Sequence, residues 1–261
     1  MCPQTVFRVP VRQNQVLQRI VERINQDEEL LQLWRCVNIN AVDRSHISDH
    51  GPVHIKIVAN MALKLVRMLS HAGVEMSVVT HYSLTPEDAE VIVVLAACLH
   101  DLGMSVHRDD HEVYSIALAN PKAKELLDGL YDVPQRTIMV SEILHAISAH
   151  HWDQSCLTIE AGVLKVADAL DMTQGRSRIP FQAGATNIHS VSAAAVDKVE
   201  LSPGKEKPVR VEIKMSNSAG IFQVDELLRR KLSNSSIAPY VEVVAHIEGE
   251  AEKRLIEWYA L

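Results

Sequence analysis

The sequence predicts a mainly α-helical protein that ends in a small α+β module. Apolar residues at helical spacing fill the first two thirds of the chain, whereas segments that alternate apolar and polar residues appear only after Pro180. A length of 261 residues with 47% hydrophobic content suits one large domain with a smaller appendage. We therefore predict an all-α domain with an N-terminal helix over residues 1–180 and a small α+β module over residues 181–261.

Six segments of the all-α part are predicted to be helices. The segment from Pro86 to about His100 has almost no polar interruption, which is typical of a central, buried helix. Pro52 and Pro134 stand near the starts of two others, where proline is tolerated, and Pro121 is expected to begin a new segment. The predicted helices cover residues 12–36, 52–72, 86–100, 112–130, 134–151 and 158–172.

The C-terminal module has a different texture. Val199–Leu201 and Val209–Lys214 alternate apolar and polar residues on either side of a Pro-Gly turn, and this pattern predicts a hairpin of strands. The remaining predicted elements are a helix over residues 220–232, a third strand over 240–247 and a helix over 251–261.

Composition excludes several classes of partner. A formal net charge of −7 gives no general attraction to nucleic acid or to an anionic membrane, and 4% aromatic content disfavours a base-stacking platform. No apolar run reaches about 18 residues, and the N-terminus lacks a signal-peptide pattern. The four cysteines are scattered, which suits reduced thiols. We expect a cytoplasmic protein, with no membrane partner and no strong nucleic-acid signal, and the sequence is compatible with a homodimer.

Histidines and aspartates cluster along several predicted helices. Asp168 lies in an apolar setting, where a lone carboxylate is costly unless a cation compensates its charge. Imidazoles and carboxylates suit iron, manganese, zinc or nickel, whereas the absence of thiolates disfavours a closed structural zinc site. We therefore expect a divalent transition metal. The candidate ligands are His50, His54, His100, Asp101, His111, His150, His151 and Asp168.

The order of these residues resembles the HD-domain superfamily, most of whose members are metal-dependent phosphohydrolases. His54, then His100-Asp101, then Asp168 match its H…HD…D pattern, in the segments HIKIVANMAL, ACLHDLG and VLKVADALD. The resemblance covers about residues 45–180. It implies an HD-domain helical bundle as the core of the fold.

Further histidines resemble those of the HD-GYP subgroup, which binds two metals. His111 in HEVYS and His150-His151 in AHHWD are similar to its additional ligands. This similarity implies a second metal held by His111 and by His150 or His151, with Asp101 as a bridge. The Gly-Tyr-Pro signature is missing, and Met104 stands where relatives often carry a lysine, so cyclic dinucleotide hydrolysis is disfavoured.

The expected chemistry is hydrolysis of a phosphomonoester, a nucleotide or a phosphodiester. A divalent metal makes hydroxide available at pH 7 by lowering the pKa of its water, and His100 and Asp101 are the expected catalytic pair. Cationic groups are needed to balance the charge that develops on the phosphoryl group. The candidate groups for binding a phosphorylated small molecule or nucleotide are Lys165, Arg176, Arg178, His107 and Arg108.

Two other functions remain open. Some HD-fold proteins with six such ligands hold a di-iron centre and are oxygenases, and the chain could also be a regulatory binding module in which the α+β part senses a ligand while the HD site is inert. The intact ligand set argues against an inert site. Asp171 is a rival to Asp168 as the ligand, but its place beyond Leu170 favours a polar residue at a helix end. Arg229-Arg230-Lys231 is interpreted as a solvated helix face.

Overall fold

The helical part of the protein forms where the sequence places apolar residues at helical spacing. A computed structural model describes residues 7–173 and 192–248 and the backbone of residues 258–260. Its helices confirm the predicted fold class, mainly α with a small α+β module. They are α1 (Gln15–Gln26), α2 (Glu28–Asn38), α3 (Pro52–His71), α4 (Ser77–Tyr82), α5 (Pro86–Leu99), α6 (His111–Leu126), α7 (Val133–Ala149) and α8 (Ile159–Ala169).

Three details of the helices differ from the prediction. The helix predicted over residues 12–36 is two helices, because Asp27 adopts an extended conformation and its carboxylate accepts the backbone N–H of Leu30, which caps α2. Pro121 lies inside α6 without a break, and the burial of Ala119 and Ala123 on either side of it offsets the lost hydrogen bond. The short helix α4 was not predicted.

Helix α5 is the centre of the helical body. Its side chains from Ala89 onward are buried, except that of Glu90, so the helix is surrounded by other elements. The indole N–H of Trp34 donates to the carbonyl oxygen of Cys98 at 2.8 Å, which satisfies one of the free carbonyls at the helix end. A 3₁₀ turn, Leu102–Ser105, follows, and the side chain of Asn40 donates to two of its carbonyl oxygens. The backbone of residues 100 and 101 is thereby fixed between the end of α5, which Trp34 holds, and the 3₁₀ turn, which Asn40 holds.

The C-terminal module contains a four-stranded sheet. Its strands lie in the order β1 (Val196–Pro203), β2 (Val209–Met215), β3 (Val241–Ile247) and β4 (Trp258–Ala260). β1 and β2 form the predicted antiparallel hairpin, β2 and β3 are parallel, and β3 and β4 are antiparallel. The helix predicted over residues 251–261 is wrong for residues 258–260, since they pair with the outer edge of β3; residues 251–257 lie outside the described residues.

A helical crossover joins the parallel strands β2 and β3. It consists of a π-helical segment, Gln223–Arg229, and the short helix α9 (Arg230–Ser233). The segment that follows α9 lies in close contact with α8. A Cβ atom on Gly162 of α8 would lie 2.2 Å from Oγ of Ser236, and the hydroxyl of Ser236 donates to the carbonyl oxygen of Thr158. Apolar side chains of β2 and β3 join the same core as the helices. The module therefore packs directly on the helix that carries Asp168.

Membrane insertion through a helix finds no support in the described part of the chain, since no helix there has the length and apolar character to cross a bilayer.

Gly103 allows the turn after α5 to approach α6, and this contact can be tested. A Cβ atom on Gly103 would lie 2.0 Å from the carbonyl oxygen of His111 and 2.5 Å from the backbone nitrogen of Ser115. We predict that Gly103→Ala lowers the free energy of unfolding by about 3 kcal/mol in urea denaturation, through overpacking.

Gly129→Ala is the matched control for this change. Its added Cβ would meet no atom within 4 Å, so only its positive φ of 67° opposes the substitution, at about 1 kcal/mol. Equal losses of stability in the two variants would contradict the close contact at Gly103.

Candidate metal centre

Four imidazoles and two carboxylates meet at one end of the helical body. Each lies near a helix terminus, so that its position is set by a helix rather than by a loop. All are buried except His111, whose side chain is 21% exposed. The six residues are His54 in the first turn of α3, His100 and Asp101 after α5, His111 at the start of α6, His150 after α7 and Asp168 near the end of α8.

Ligand atoms of His54, His100, Asp101 and Asp168 form what we call the first group. The Nε2 atoms of His54 and His100 lie 3.4 Å apart, and they lie 3.4 and 3.2 Å from Oδ2 of Asp101. Oδ1 of Asp168 lies 3.3 Å from Nε2 of His54 and 3.8 Å from that of His100. Two imidazoles and two carboxylates thus converge on one small volume.

The second group is formed by His111 and His150 with the other oxygen of Asp101. Their Nε2 atoms lie 3.3 Å apart, and Oδ1 of Asp101 lies 3.4 Å from the first and 3.8 Å from the second. Asp101 therefore presents one carboxylate oxygen to each group. His/Asp groups of this kind can hold a metal ion.

The protonation of three rings follows from their outer nitrogens. In His100, His111 and His150, Nδ1 contacts the carbonyl oxygen of the third residue before it in the chain, at 2.9 Å in the first two. A carbonyl oxygen only accepts, so Nδ1 carries a proton, and Nε2 is the nitrogen that faces the group and offers a lone pair when the ring is neutral. Outer hydrogen bonds of this type orient metal-bound imidazoles in proteins.

His54 is oriented by Asp171, a contact that was not predicted from the sequence. Its Nδ1 lies 2.6 Å from Oδ2 of Asp171, which is buried and was interpreted as a polar residue at a helix end. The carboxylate of Asp171 fixes the ring and makes its inner nitrogen a better ligand. The available signal was the spacing of three residues from Asp168, which places both carboxylates on the same side of one helical turn.

The electrostatics of the two groups favour a cation between their atoms. Oδ2 of Asp101 is buried without a hydrogen-bond partner among the described residues. Burial alone would lower the pKa of His100, but Asp101 and Asp168 raise it to about 9. Burial also opposes ionisation of both carboxylates, yet His100 holds the pKa of Asp101, and Lys231 that of Asp168, well below the usual range. Without a metal, a proton on Nε2 of His100 supplies positive charge beside both carboxylates, and a divalent metal bound there would take the place of that proton.

His50 and His151, which were also predicted as ligands, take other positions. The ring of His50 lies 5.4 Å from that of His54, and its Nδ1 contacts the carbonyl oxygen of Ser48 at 2.7 Å. His151 is about one-third exposed, and its Nδ1 pairs with Asp153. Both line the pocket beside the two groups, but neither belongs to the ligand sets identified among the described residues.

The predicted phosphate-binding residues are placed unequally. Arg108 lines the pocket and is exposed, whereas Nδ1 of His107 accepts the backbone N–H of Asp109. Lys165 is completely buried, and its ammonium donates to the carbonyl oxygen of Gln154, so it is held away from the pocket. Arg176 and Arg178 lie outside the described residues.

A solvent-open pocket of about 700 Å³ gives access to the two groups. Asp101, His111, His150 and Asp168 belong to its lining, together with the half-exposed Trp152. The helical crossover of the C-terminal module forms another part of its wall through Gln223, Leu227 and Lys231. Lys231, predicted to be a solvated residue, donates instead to the carboxylate of Asp168.

The family model of the HD domain matches residues 53–173, a range that contains all six residues of the two groups. The chain belongs to the HD-domain superfamily. HD domains bind divalent metals, and the family generally contains metal-dependent phosphohydrolases.

Two relatives extend this comparison. The chain is 44% identical over 231 residues to an uncharacterized protein of Methanocaldococcus jannaschii, and the match covers 88% of this chain and 89% of that protein. It is 27% identical over 170 residues to Ribonuclease Y of Desulforudis audaxviator, a match that covers 62% of this chain and 30% of that protein. No solved structure matches the chain.

The separation into two groups predicts how metal content responds to substitution. If each group holds one ion, His111→Ala should lower the content from about two ions per chain to about one, because it removes a ligand of the second group alone. Asp101→Ala removes a ligand from both groups and should lower the content below one. The measurement is elemental analysis of protein purified without oxygen.

His81→Ala is the control for these variants, because His81 is exposed on α4 and lies outside both groups. It should retain the full metal content. Full metal content in Asp101→Ala would contradict the proposed ligand set.

Proposed function

We propose that this protein is a metal-dependent phosphohydrolase with two metal ions, which cleaves a phosphomonoester, a nucleotide or a phosphodiester. One observation carries the proposal: the buried carboxylate of Asp101 presents one oxygen to each of two groups of imidazole nitrogens. A carboxylate in this position is suited to bridge two ions. The nitrogen and oxygen donors suit iron, manganese, zinc or nickel.

The chain's own residues prepare the site for this chemistry. Two bound divalent ions supply hydroxide at neutral pH and neutralise charge on the phosphoryl oxygens. Asp171 and the backbone carbonyl oxygens hold each imidazole in the orientation that directs Nε2 inward. The rings therefore need not rotate when metal ions bind. The pocket admits a substrate from solvent and leaves the ligands at its inner end.

Relatedness supports the same class of reaction. The superfamily generally contains metal-dependent phosphohydrolases, and one relative is named a ribonuclease. That name supports keeping a phosphodiester among the substrates that are tested. The pocket of about 700 Å³ and the net charge of −7 favour a small phosphate ester over a long nucleic acid.

A second function is favoured by one specific observation. Four imidazoles and two carboxylates, with one carboxylate between the two groups, would also suit a di-iron oxygenase. The two functions differ in their need for oxygen and in whether phosphate is released.

The decisive assay uses protein purified without oxygen, stripped with a chelator and reloaded separately with manganese, iron or zinc. Substrates are p-nitrophenyl phosphate, bis(p-nitrophenyl) phosphate and a set of nucleotides. We expect metal-dependent hydrolysis without oxygen. Asp101→Asn should lower kcat/KM by about 10³-fold, because it removes the bridging charge.

His81→Ala should retain wild-type activity in the same assay, since it leaves both groups intact. The phosphohydrolase proposal would be contradicted if none of the manganese, iron and zinc forms cleaves a phosphate ester. A mixed-valence iron signal together with a reaction that consumes oxygen would favour the oxygenase.

A further inference from the structure

The C-terminal module places a lysine against the metal centre. Lys231 lies on α9, lines the pocket, and donates from its ammonium to Oδ2 of Asp168. The other oxygen of that carboxylate, Oδ1, is the one that lies beside His54 and His100. Lys231 and the first group thus use different oxygens of Asp168, so the lysine is compatible with Asp168 acting as a ligand.

Lys231 differs from the two arginines that precede it in the chain. Arg229 pairs with Asp225 at 2.8 Å and Arg230 pairs with Glu226 at 2.7 Å, both one helical turn apart and more than half exposed. The side chain of Lys231 is only 17% exposed. A run of three cations therefore contains one residue that reaches the site and two that stay on the surface.

A packed element, rather than a loose loop, presents Lys231 to the pocket. Gln223, Leu227 and Lys231 recur every four residues and all line it. The side-chain amide of Gln223 donates to the hydroxyl of Ser192 at 2.7 Å, and Leu228 is fully buried. The position of the ammonium is thus determined by the fold of the module.

Charge in the pocket makes this position important for an anionic substrate. Among the described residues, six carboxylates line the pocket, against two basic side chains, Arg108 and Lys231. Of these two, Arg108 is exposed, whereas Lys231 contacts a residue of the first group. The carboxylates are Asp101, Asp109, Asp110, Glu112, Asp168 and Asp171.

We propose that Lys231 binds a phosphoryl oxygen of the substrate and of the inorganic phosphate that hydrolysis releases. A phosphoryl group held at the two groups would lie beside Asp168, within reach of the ammonium on its flexible four-carbon chain. Its charge would offset that of the carboxylates around the phosphoryl group. The inference rests on the proposed function and gives the C-terminal module a direct part in the site.

Three full-length variants test the role of Lys231. Lys231→Gln removes the charge and keeps most of the side-chain length, whereas Lys231→Arg retains the charge. Arg229→Gln removes a neighbouring charge that pairs with Asp225 on the surface of the same crossover, and it serves as the matched control. Metal content, thermal unfolding, KM, kcat and the inhibition constant of inorganic phosphate are measured for each.

We expect Lys231→Gln to raise KM and the inhibition constant of phosphate by about tenfold or more, the effect of losing one charged hydrogen bond. Its metal content should match the wild type, and Lys231→Arg should recover part of the affinity. Arg229→Gln should remain within about twofold of the wild type, as substitutions of exposed ion-paired residues usually do. Loss of metal in both Lys231 variants, or unchanged phosphate affinity in Lys231→Gln, would overturn the inference.

Calorimetry with inorganic phosphate and metal-loaded protein separates this inference from the proposed function. If wild-type protein cleaves no phosphate ester but binds phosphate, and Lys231→Gln binds it at least about tenfold more weakly, the role of Lys231 stands while the hydrolase proposal fails. If metal-loaded wild-type protein hydrolyses esters but phosphate binds equally well to Lys231→Gln, the role of Lys231 fails alone.

Discussion

The buried carboxylate of Asp101 is the constraint on which the site depends. Placing an ionised carboxylate in the interior of a helical body costs several kcal/mol unless cations compensate it. Here carbonyl oxygens keep a proton on the outer nitrogens of His100, His111 and His150, so that each ring turns Nε2 toward the carboxylates. Divalent ions bound in the two groups would take the place of the proton on His100 and compensate the charge of the carboxylates.

The fold serves this constraint by bringing helix ends together. Helix α5 is buried and ends directly before His100 and Asp101. Trp34 and Asn40 hold the backbone on either side of these two residues. The absence of a side chain on Gly103 lets α6 approach closely enough to deliver His111. The crossover of the C-terminal module then closes one wall of the pocket against α8. The contacts that hold the helix ends together, such as the approach of Gly103 to α6, therefore contribute both to stability and to the geometry of the site.

The sequence indicated the residues that cluster better than their surroundings. His54, His100 and Asp168 stand in ordered, recognisable contexts, whereas Lys231 comes some sixty residues after Asp168 and in no motif, so that only the packing of α9 on α8 reveals its contact with Asp168. Lys165 was a candidate for phosphate binding because it lies on the helix of Asp168, but the apolar pattern of α8 does not define which of its sides faces the pocket. The division of the first predicted helix into two depends on a single residue, Asp27, which caps α2. The strand at residues 258–260 depends on pairing with β3, a tertiary contact that local sequence does not encode.

Anomalous X-ray diffraction from crystals grown with excess manganese or iron would locate the ions at the two groups. Two anomalous peaks are expected, on opposite sides of the Asp101 carboxylate. One should lie among His54, His100 and Asp168, and the other should lie between His111 and His150. A single peak, no peak, or peaks at residues outside the two groups would contradict a site with two ions.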